Sequence, residues 1–309
     1  MFDTVLIADR GASAVRVIAA CQRLGAKSVV AHVDGDRAAL AARRADERIA
    51  LGRVRRMDHR AVLEAAAVSG AQAIHPGAGP LALDAAFARA VREAGLSWLG
   101  APPDRLGARP DPPSGRGVCL EGTATSWAIV GAWEETVRWD GRVLVAEFAA
   151  APAQDAPPGP AGGIATVYGE TLWPTIAVQD RLVELTTGVD LVERQLRTAC
   201  GERVEPLPSP RGHAIQAHVY AAAAARVPVT VTGWVPPDED NLRVDTVLAE
   251  GAELTKHDGP LLATLTAWGA DRAQALDRLV GAVGAALRVQ EPPVDPSVLS
   301  AVLAGPDVV

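Results

Sequence analysis

The side chains able to do chemistry fall in a few places along the 309 residues. Asp180 and Glu184 stand four residues apart in QDRLVELTTG. A helix begun there sets both carboxylates on one face, one turn apart, as a shared acid/base pair; the competing reading is a solvated helix face. His75 opens HPGAG at the carboxyl end of an apolar run, where open parallel sheets place their ligand crevices; the competing reading is a structural histidine. His257 and Asp258, in TKHDGP, read as a solvated turn. The chain has seven tryptophans against three phenylalanines and two tyrosines, and Trp127, Trp133, Trp139 and Trp173 share one segment. Such rings either plug a cavity or line an apolar pocket, and four in one segment favour the pocket.

Composition bounds what these groups can serve. A net charge of −7 argues against nucleic acid or an anionic membrane as partner, since either needs a basic face. Three widely separated cysteines give neither a disulfide framework nor a zinc site. The start, MFDTVLIADRG, lacks a signal-peptide pattern, and no run of 18 apolar residues occurs. A soluble, cytoplasmic protein is the expectation.

The elements that must hold these residues begin with an alternation of strand and helix. Strands are expected at Val5 to Ala8, Ser28 to Val33, Arg48 to Leu51, Gln72 to His75 and Ser97 to Gly100. Helices are expected over Ala12 to Leu24, Arg37 to Arg44, His59 to Val68 and Leu81 to Ala94. This is the order of a parallel sheet with crossover helices. Residues 101–117 read as an irregular linker, 118–142 as one helix around Trp127 and Trp133, and Val143 to Phe148 as a strand. Thr187 and Asp190 form a capping box ahead of Val189, Val192, Leu196 and Ala199. His213 to Tyr220 and Val227 to Val235 alternate as antiparallel strands. Asp271 caps a last helix carrying Leu276, Leu279, Val280, Val283 and Leu287, and the Pro-rich tail from Glu291 is expected to fray.

Three stretches carry a resemblance: VLIADRGASAVRVIAACQRLG, HVDGDRAALAARRADERIALG and GAQAIHPGAGPLALDAAFARAVREAGLSWLGAPPD. Together they resemble the amino-terminal domain of biotin carboxylase, the ATP-grasp subunit of acyl-CoA carboxylases. TGVDLVERQLRTACGE, RGHAIQAHVYA, LRVDTVLAEGAEL and GPLLATLTAWGADRAQALDRLVGAVGAAL resemble the carboxy-terminal domain of the same family. The resemblance implies an α/β fold with a parallel amino-terminal domain at 1–103, a shortened ATP-grasp remnant at 104–185, an α+β carboxy-terminal domain at 186–290 and a tail at 291–309. The family's glycine-rich lid and most of its central domain have no counterpart.

The family's reaction needs Mg-ATP, paired carboxylates for the metal, and an arginine and a base for bicarbonate. Where the family writes E-M-N-x-R-I-Q-V-E, this chain has Thr171 for the metal-binding Glu, Trp173 for the Asn, Thr175 for the catalytic Arg and Gln179 for the base. Neutral side chains neither hold magnesium nor deprotonate bicarbonate, so no metal and no cofactor is expected. Arg243 matches the family's second active-site arginine and Glu147 its adenine-hinge glutamate; a structural ion pair and a strand-end charge are the competing readings. His218 and Tyr220 replace an arginine and an asparagine, a core or interface role being the competing reading, and Ala78 replaces the tyrosine of the family's HPGYG, opening space. Biotin carboxylases commonly dimerise, which implies a homodimer; Ala19 and Arg23 stand where the family has an interface Arg and Glu. The expected function is that of a repurposed, cofactor-free enzyme of the cyclase, isomerase or lyase type, acting on an apolar small molecule in specialised metabolism. Arg243, His218, Asp180 and Glu184 are its candidate catalytic groups, and Trp173, Trp127, Trp133, His75, Glu147 and Tyr220 its candidate binding groups. The alternative is a non-catalytic pseudoenzyme that binds a carboxylase or synthase partner.

Overall fold

The computed structural model describes residues 1–52, 57–100, 103, 106, 116–123, 127–137, 143–149, 162–168, 171–173, 180–203, 207–222, 225–255 and 258–304; between 116 and 173 the side chain of Ala146 alone is described. The amino-terminal part is built from β1 (Thr4–Ile7), α1 (Gly11–Arg23), β2 (Lys27–His32), α2 (Leu40–Arg44), β3 (Glu47–Ala50), α3 (His59–Ser69), β4 (Ala73–His75), α4 (Ala85–Glu93) and β5 (Ser97–Trp98). Its strands are all parallel, in the order β3-β2-β1-β4-β5. The strand pattern explains the layers. Along β1 the side chains alternate, so Val5 and Ile7 enter the core beneath α1 while Leu6 and Ala8 join the core containing Val62, Phe87 and Val91 of α3 and α4. Asp58 and Asp84 start α3 and α4 by accepting from Ala61 N and Phe87 N at 2.9 Å each.

The rest of the described chain comprises β6 (Arg116–Thr123), β7 (Trp127–Val137), β8 (Val143–Ala149), β9 (Gly162–Tyr168), β10 (Thr171–Trp173), α5 (Asp180–Thr187), α6 (Leu191–Ala199), β11 (His213–Tyr220), β12 (Val229–Thr230), β13 (Leu242–Thr246), β14 (Glu253–Leu254), β15 (Leu261–Gly269), α7 (Arg272–Ala286) and α8 (Ser297–Ala304). Eight of these strands form one antiparallel sheet, ordered β10-β9-β6-β7-β8-β11-β15-β13. On β11 and β15 the residues Ile215, Ala217, Val219, Ala263, Leu265 and Ala267 face a core completed by Leu279 and Val283 of α7. Asp271 caps α7 through Gln274 N at 2.9 Å. Val192 and Leu196 of α6 belong to the amino-terminal core, so this helix is packed into the first sheet's layer. Among the described residues no helix is long and apolar enough to cross a membrane.

Four expectations are corrected. Residues 118–142 hold strands β6 and β7, paired antiparallel, instead of one helix; their β-branched and aromatic content fits an extended, laddered backbone better than a helix. The cap of α6 is Asp190, accepting from Glu193 N at 2.8 Å, while Thr187 ends α5 and donates to Val183 O at 2.7 Å. Of Val227 to Val235, the pair Val229–Thr230 alone is a strand, on a two-stranded ribbon with β14. The tail does not fray at Glu291: bridges join Thr232 to Glu291 and Ala221 to Val294, and α8 buries Val298 and Val302 in the carboxy-terminal core. Those two valines are four residues apart and share a helix face, which gives the segment its own apolar anchor.

Val298→Asp should therefore cost more than about 3 kcal/mol, because it buries an unpaired carboxylate. Leu303→Asp, at a position 61% exposed, should stay within about 0.5 kcal/mol. Chemical denaturation of the two variants checks both figures; equal, small losses would mean that α8 is not part of the core.

Candidate functional site

In the strand order β3-β2-β1-β4-β5 the chain leaves β1 to one side and returns to β4 on the other, which makes the carboxyl ends of β1 and β4 the switch point of the sheet. A cavity of about 190 Å³ opens there. Arg10, Gly11, Ala12 and Ser13 reach it from the end of β1, and His75, Gly77 and Ala78 from the end of β4. Its far wall comes from the carboxy-terminal part: Asp245 and Val247 by β13, Asp258, and Leu261 of β15. Arg16 and Val17 of α1 and Val192 of α6 close the sides. The cavity is thus a junction between the first sheet and the last.

Buried ion pairs fix that junction. Arg16 Nη2 donates to Glu184 Oε1 at 2.7 Å, and Arg181 Nη1 to Glu184 Oε2 at 2.5 Å. The same Arg181 clamps Asp245 through Nε and Nη2, at 2.7 Å each. Glu184 Oε1 also accepts from Leu191 N at 2.7 Å. Two arginines and two carboxylates, from α1, α5 and β13, neutralise one another out of water. Burial alone would raise the Asp245 carboxyl, but the charge and hydrogen bonds of Arg181 and the charge of Arg16 outweigh it and hold it below its usual range. Arg181 is held protonated despite burial by Asp245 and then Glu184.

On the other side of the cavity, His75 Nδ1 accepts from Gly77 N at 2.9 Å, so its proton sits on Nε2, which faces Gln195 Oε1 at 3.1 Å. Gln195 in turn donates to Leu99 O at 3.1 Å. Burial pushes the His75 imidazole down to about 4, so it is neutral. Asp9 lies behind the loop: its Oδ2 accepts from Ser13 Oγ at 2.5 Å and from Ala78 N at 2.9 Å. Burial raises the Asp9 carboxyl, against the opposing pull of Ser13, Ala78 and Arg10. Arg10 pairs with Asp36 at 3.1 Å. Cys21 offers no nucleophile, since burial pushes its thiol up to about 12.

Of the residues singled out from sequence, His75, Ala78 and Asp258 line this cavity. Glu184 and Asp180 are buried on α5, and Glu184 has both oxygens occupied by the ion network. His218, buried on β11 and pushed down to about 4 by burial, faces Gln216 Oε1 at 3.0 Å, and Gln216 donates to Thr266 Oγ1 at 2.7 Å. Tyr220 ends β11, its ring stacked at 6.4 Å from that of His218. Arg243 is exposed on β13 and donates to Leu242 O at 2.9 Å. None of these five is among the residues that line the cavity. Trp127 and Trp133 fall on β7, Glu147 on β8 opposite Ile215, and Trp173 on β10; their side chains lie outside the described residues, as do Thr175, Gln179, His257 and Trp139 altogether. β10 and β13 are opposite edges of the eight-stranded sheet, with six strands between Trp173 and Arg243.

The sequence reading missed Asp9, Arg10, Ser13, Arg16 and Asp245, and took Asp258, which lines the cavity, for part of a solvated turn. For the first three the signal was available: they follow the apolar run of β1, as His75 follows that of β4, and the same strand-end rule points to both. Arg16 announces itself only as a charge set among the inward residues of an apolar helix.

Comparison with known proteins agrees with this architecture. Residues 1–106 match the family model for the biotin carboxylase N-terminal domain. The biotin-dependent acyl-coenzyme A carboxylase alpha3 subunit of Mycobacterium leprae is 28% identical, over 89% of this chain and 66% of that protein. That alignment runs over 397 positions, more than the 309 residues available, so the relative carries residues with no counterpart here. The biotin carboxylase of Halalkalibacterium halodurans is 40% identical over 35% of this chain and 26% of its own length. A solved biotin carboxylase domain of a single-chain bacterial carboxylase superposes with a TM-score of 0.83 at 25% identity, covering 99% of this chain and 94% of that one. The chain is similar to biotin carboxylases. It has their fold throughout, while spanning two thirds or less of these curated relatives.

Two outcomes follow from the buried groups. Arg181→Met leaves Asp245 and Glu184 short of their shared partner and should cost about 3–5 kcal/mol in denaturant unfolding, far more than a surface arginine. The neutral histidines add a pH dependence. Between about 4 and 6.5 the unfolded chain binds protons on His75 and His218 that the native chain refuses, so stability falls as pH drops through that window, on the order of 2 kcal/mol per histidine by pH 5. Asp9, raised in the native state, works in the opposite direction there. Thermal melts from pH 7.5 to 5 should therefore show a shallower decline for His218→Gln than for the unmodified chain.

Proposed function

We propose that this chain, similar to biotin carboxylases, does not carry out ATP-dependent carboxylation, and that it binds a small, largely apolar molecule in the cavity at the switch point and transforms it without a cofactor, as a cyclase, isomerase or lyase. The observation that carries this reading is the cavity itself. An apolar space of about 150 Å³ takes benzene, so about 190 Å³ suits a compact body of one ring or its equivalent. Ala78 stands in its wall where the related motif has a tyrosine, and Val17, Val192, Val247 and Leu261 supply apolar surface. A magnesium nucleotide is not supported by the donors present. Thr171 and Trp173 on β10 bring no carboxylate, and among the described residues no group of three or more His, Cys, Asp or Glu could hold a metal ion.

A second reading, a non-catalytic partner of a carboxylase or synthase, draws support from Glu184. A carboxylate that accepts from Arg16, Arg181 and the Leu191 amide is committed to structure, with both oxygens occupied.

One experiment separates the two. A strain lacking the gene should accumulate a precursor, and the unmodified chain should restore its consumption. Ala78→Tyr, which fills the cavity from its wall, should fail to restore it while keeping a melting temperature within a few degrees of the unmodified chain. If Ala78→Tyr complements fully and the chain co-purifies with a carboxylase or synthase subunit, the enzyme reading is wrong and the partner reading stands.

A further inference from the structure

We propose that Ser13, backed by Asp9, is the polar contact that selects and deprotonates the ligand of the cavity, and that this ligand is a small apolar molecule bearing a hydroxyl group: a phenol, an enol or an alcohol. This rests on the cavity being a ligand site, as argued above.

The geometry is specific. Asp9 follows β1 and is 6% exposed. Its Oδ2 accepts from Ser13 Oγ and Ala78 N, and the loop presses on it from the other side. A Cβ at Gly77 would lie 1.8 Å from Asp9 Oδ2, and one at Gly79 2.6 Å from Oδ1. Glycine alone permits this approach, and at Gly77 it also supplies the positive φ of 63°. The carboxylate is therefore wedged between the first turn of α1 and the glycine loop, with its Oδ2 aimed at Ser13 and Ala78.

A serine hydroxyl has one proton. Here that proton is held by Asp9 at 2.5 Å, with Arg10 O at 3.2 Å as its other neighbour. Ser13 lines the cavity, so what it offers a ligand is a lone pair. The ligand must then bring the hydrogen-bond donor. Around that point Ala12, Val17, Val192, Val247 and Leu261 supply apolar surface, while Arg10, Arg16, His75, Asp245 and Asp258 in the same lining are bonded to protein partners, so the bulk of the ligand is apolar.

The pair also completes a proton transfer. The ligand O–H breaks and its proton passes to Ser13 Oγ as the serine's own proton passes to Asp9 Oδ2. The electron pair stays on the ligand oxygen, and the negative charge moves from Asp9 to the resulting phenolate, enolate or alkoxide. Burial raises the proton affinity of Asp9, which suits it to accept. Arg10 and Arg16 both reach the cavity, each paired with a carboxylate, and Asp245 and Asp258 line it as well, so the charge left on the ligand meets cations and anions in balance. An oxyanion formed this way is the starting point for a lyase, an isomerase or a ring closure, and it consumes no co-reactant.

Phenol and toluene, matched in shape and differing in the hydroxyl, are the probes, titrated into the full chain by calorimetry. The unmodified protein should bind phenol about 10-fold tighter or more. Ser13→Ala should bring the two probes within about twofold, leaving toluene affinity unchanged. Equal binding in the unmodified protein, or a preference that survives Ser13→Ala, overturns the proposal while the cavity remains a ligand site. If neither probe binds at millimolar concentration, the cavity reading fails and this one falls with it. For the proton transfer, 4-nitrophenol held about one pH unit below its own pKa should gain nitrophenolate absorbance on adding the unmodified protein and not on adding Ser13→Ala or Asp9→Asn. No gain with the unmodified protein overturns that step, and Ser13→Ala decides should Asp9→Asn fail to fold.

Discussion

The arrangement of this molecule depends on four charges buried together: Arg16, Glu184, Arg181 and Asp245. Each would be costly alone in a place from which water is excluded, and the set persists because it is matched in number, close in distance and hydrogen-bonded at both carboxylates. The consequence is mechanical. α1 of the first sheet, α5 and the β13 edge of the last sheet cannot separate or slide without exposing an unpaired charge to an apolar interior. The cavity between the two sheets inherits its shape from that constraint, with Arg16 and Asp245 forming part of its wall as well as of the network.

The carboxy-terminal sheet shows the same logic on a larger scale. Across β11, β15 and β13 the ladder sets Gln216, Thr266 and Arg243 in one row and His218, Thr264 and Asp245 in the next. The opposite face of β11 and β15 is apolar and packs on α7. A sheet with an apolar face and a polar face normally turns the polar one to water. Here it is covered by α5 and α1, and Gln216, His218, Thr264 and Thr266 are almost completely buried. Burial on that face is tolerable because Gln216 bonds to Thr266 along one row and faces His218 of the next, and because His218 stays neutral; the Thr264 hydroxyl has no partner among the described residues and bears the cost of burial.

Local pattern was legible where it was strong. The parallel domain followed from apolar runs ended by Gly, Asp or Pro, and its strands and helices lie within a few residues of expectation, from β1 to β5. The Asp271 cap was legible for the same reason: a capping side chain and the amide it serves are three residues apart. The segment from 116 to 137 was not, because short apolar runs rich in Trp, Val and Gly fit a helix or a strand until a partner strand exists to decide. The capping box read at Thr187 and Asp190 failed because α5 runs through the threonine, which leaves Asp190 to cap α6 itself.

By itself the sequence determined the family resemblance, the first sheet and, against the pattern it resembles, the replacement of two acids, an amide and an arginine by Thr171, Gln179, Trp173 and Thr175. Those are statements about neighbours along the chain or about residue types at matched positions. The tertiary structure decided which polar groups meet. Arg16 finds Glu184 across 168 positions, His75 finds Gln195 across 120, Asp9 meets Ala78 across 69 and Arg181 meets Asp245 across 64. No periodicity encodes such pairs. A side chain's spacing tells which face it occupies, and only the packing of one face on another tells whether a carboxylate is spent on an arginine, as Glu184 is, or held beside a cavity with a serine in front of it, as Asp9 is.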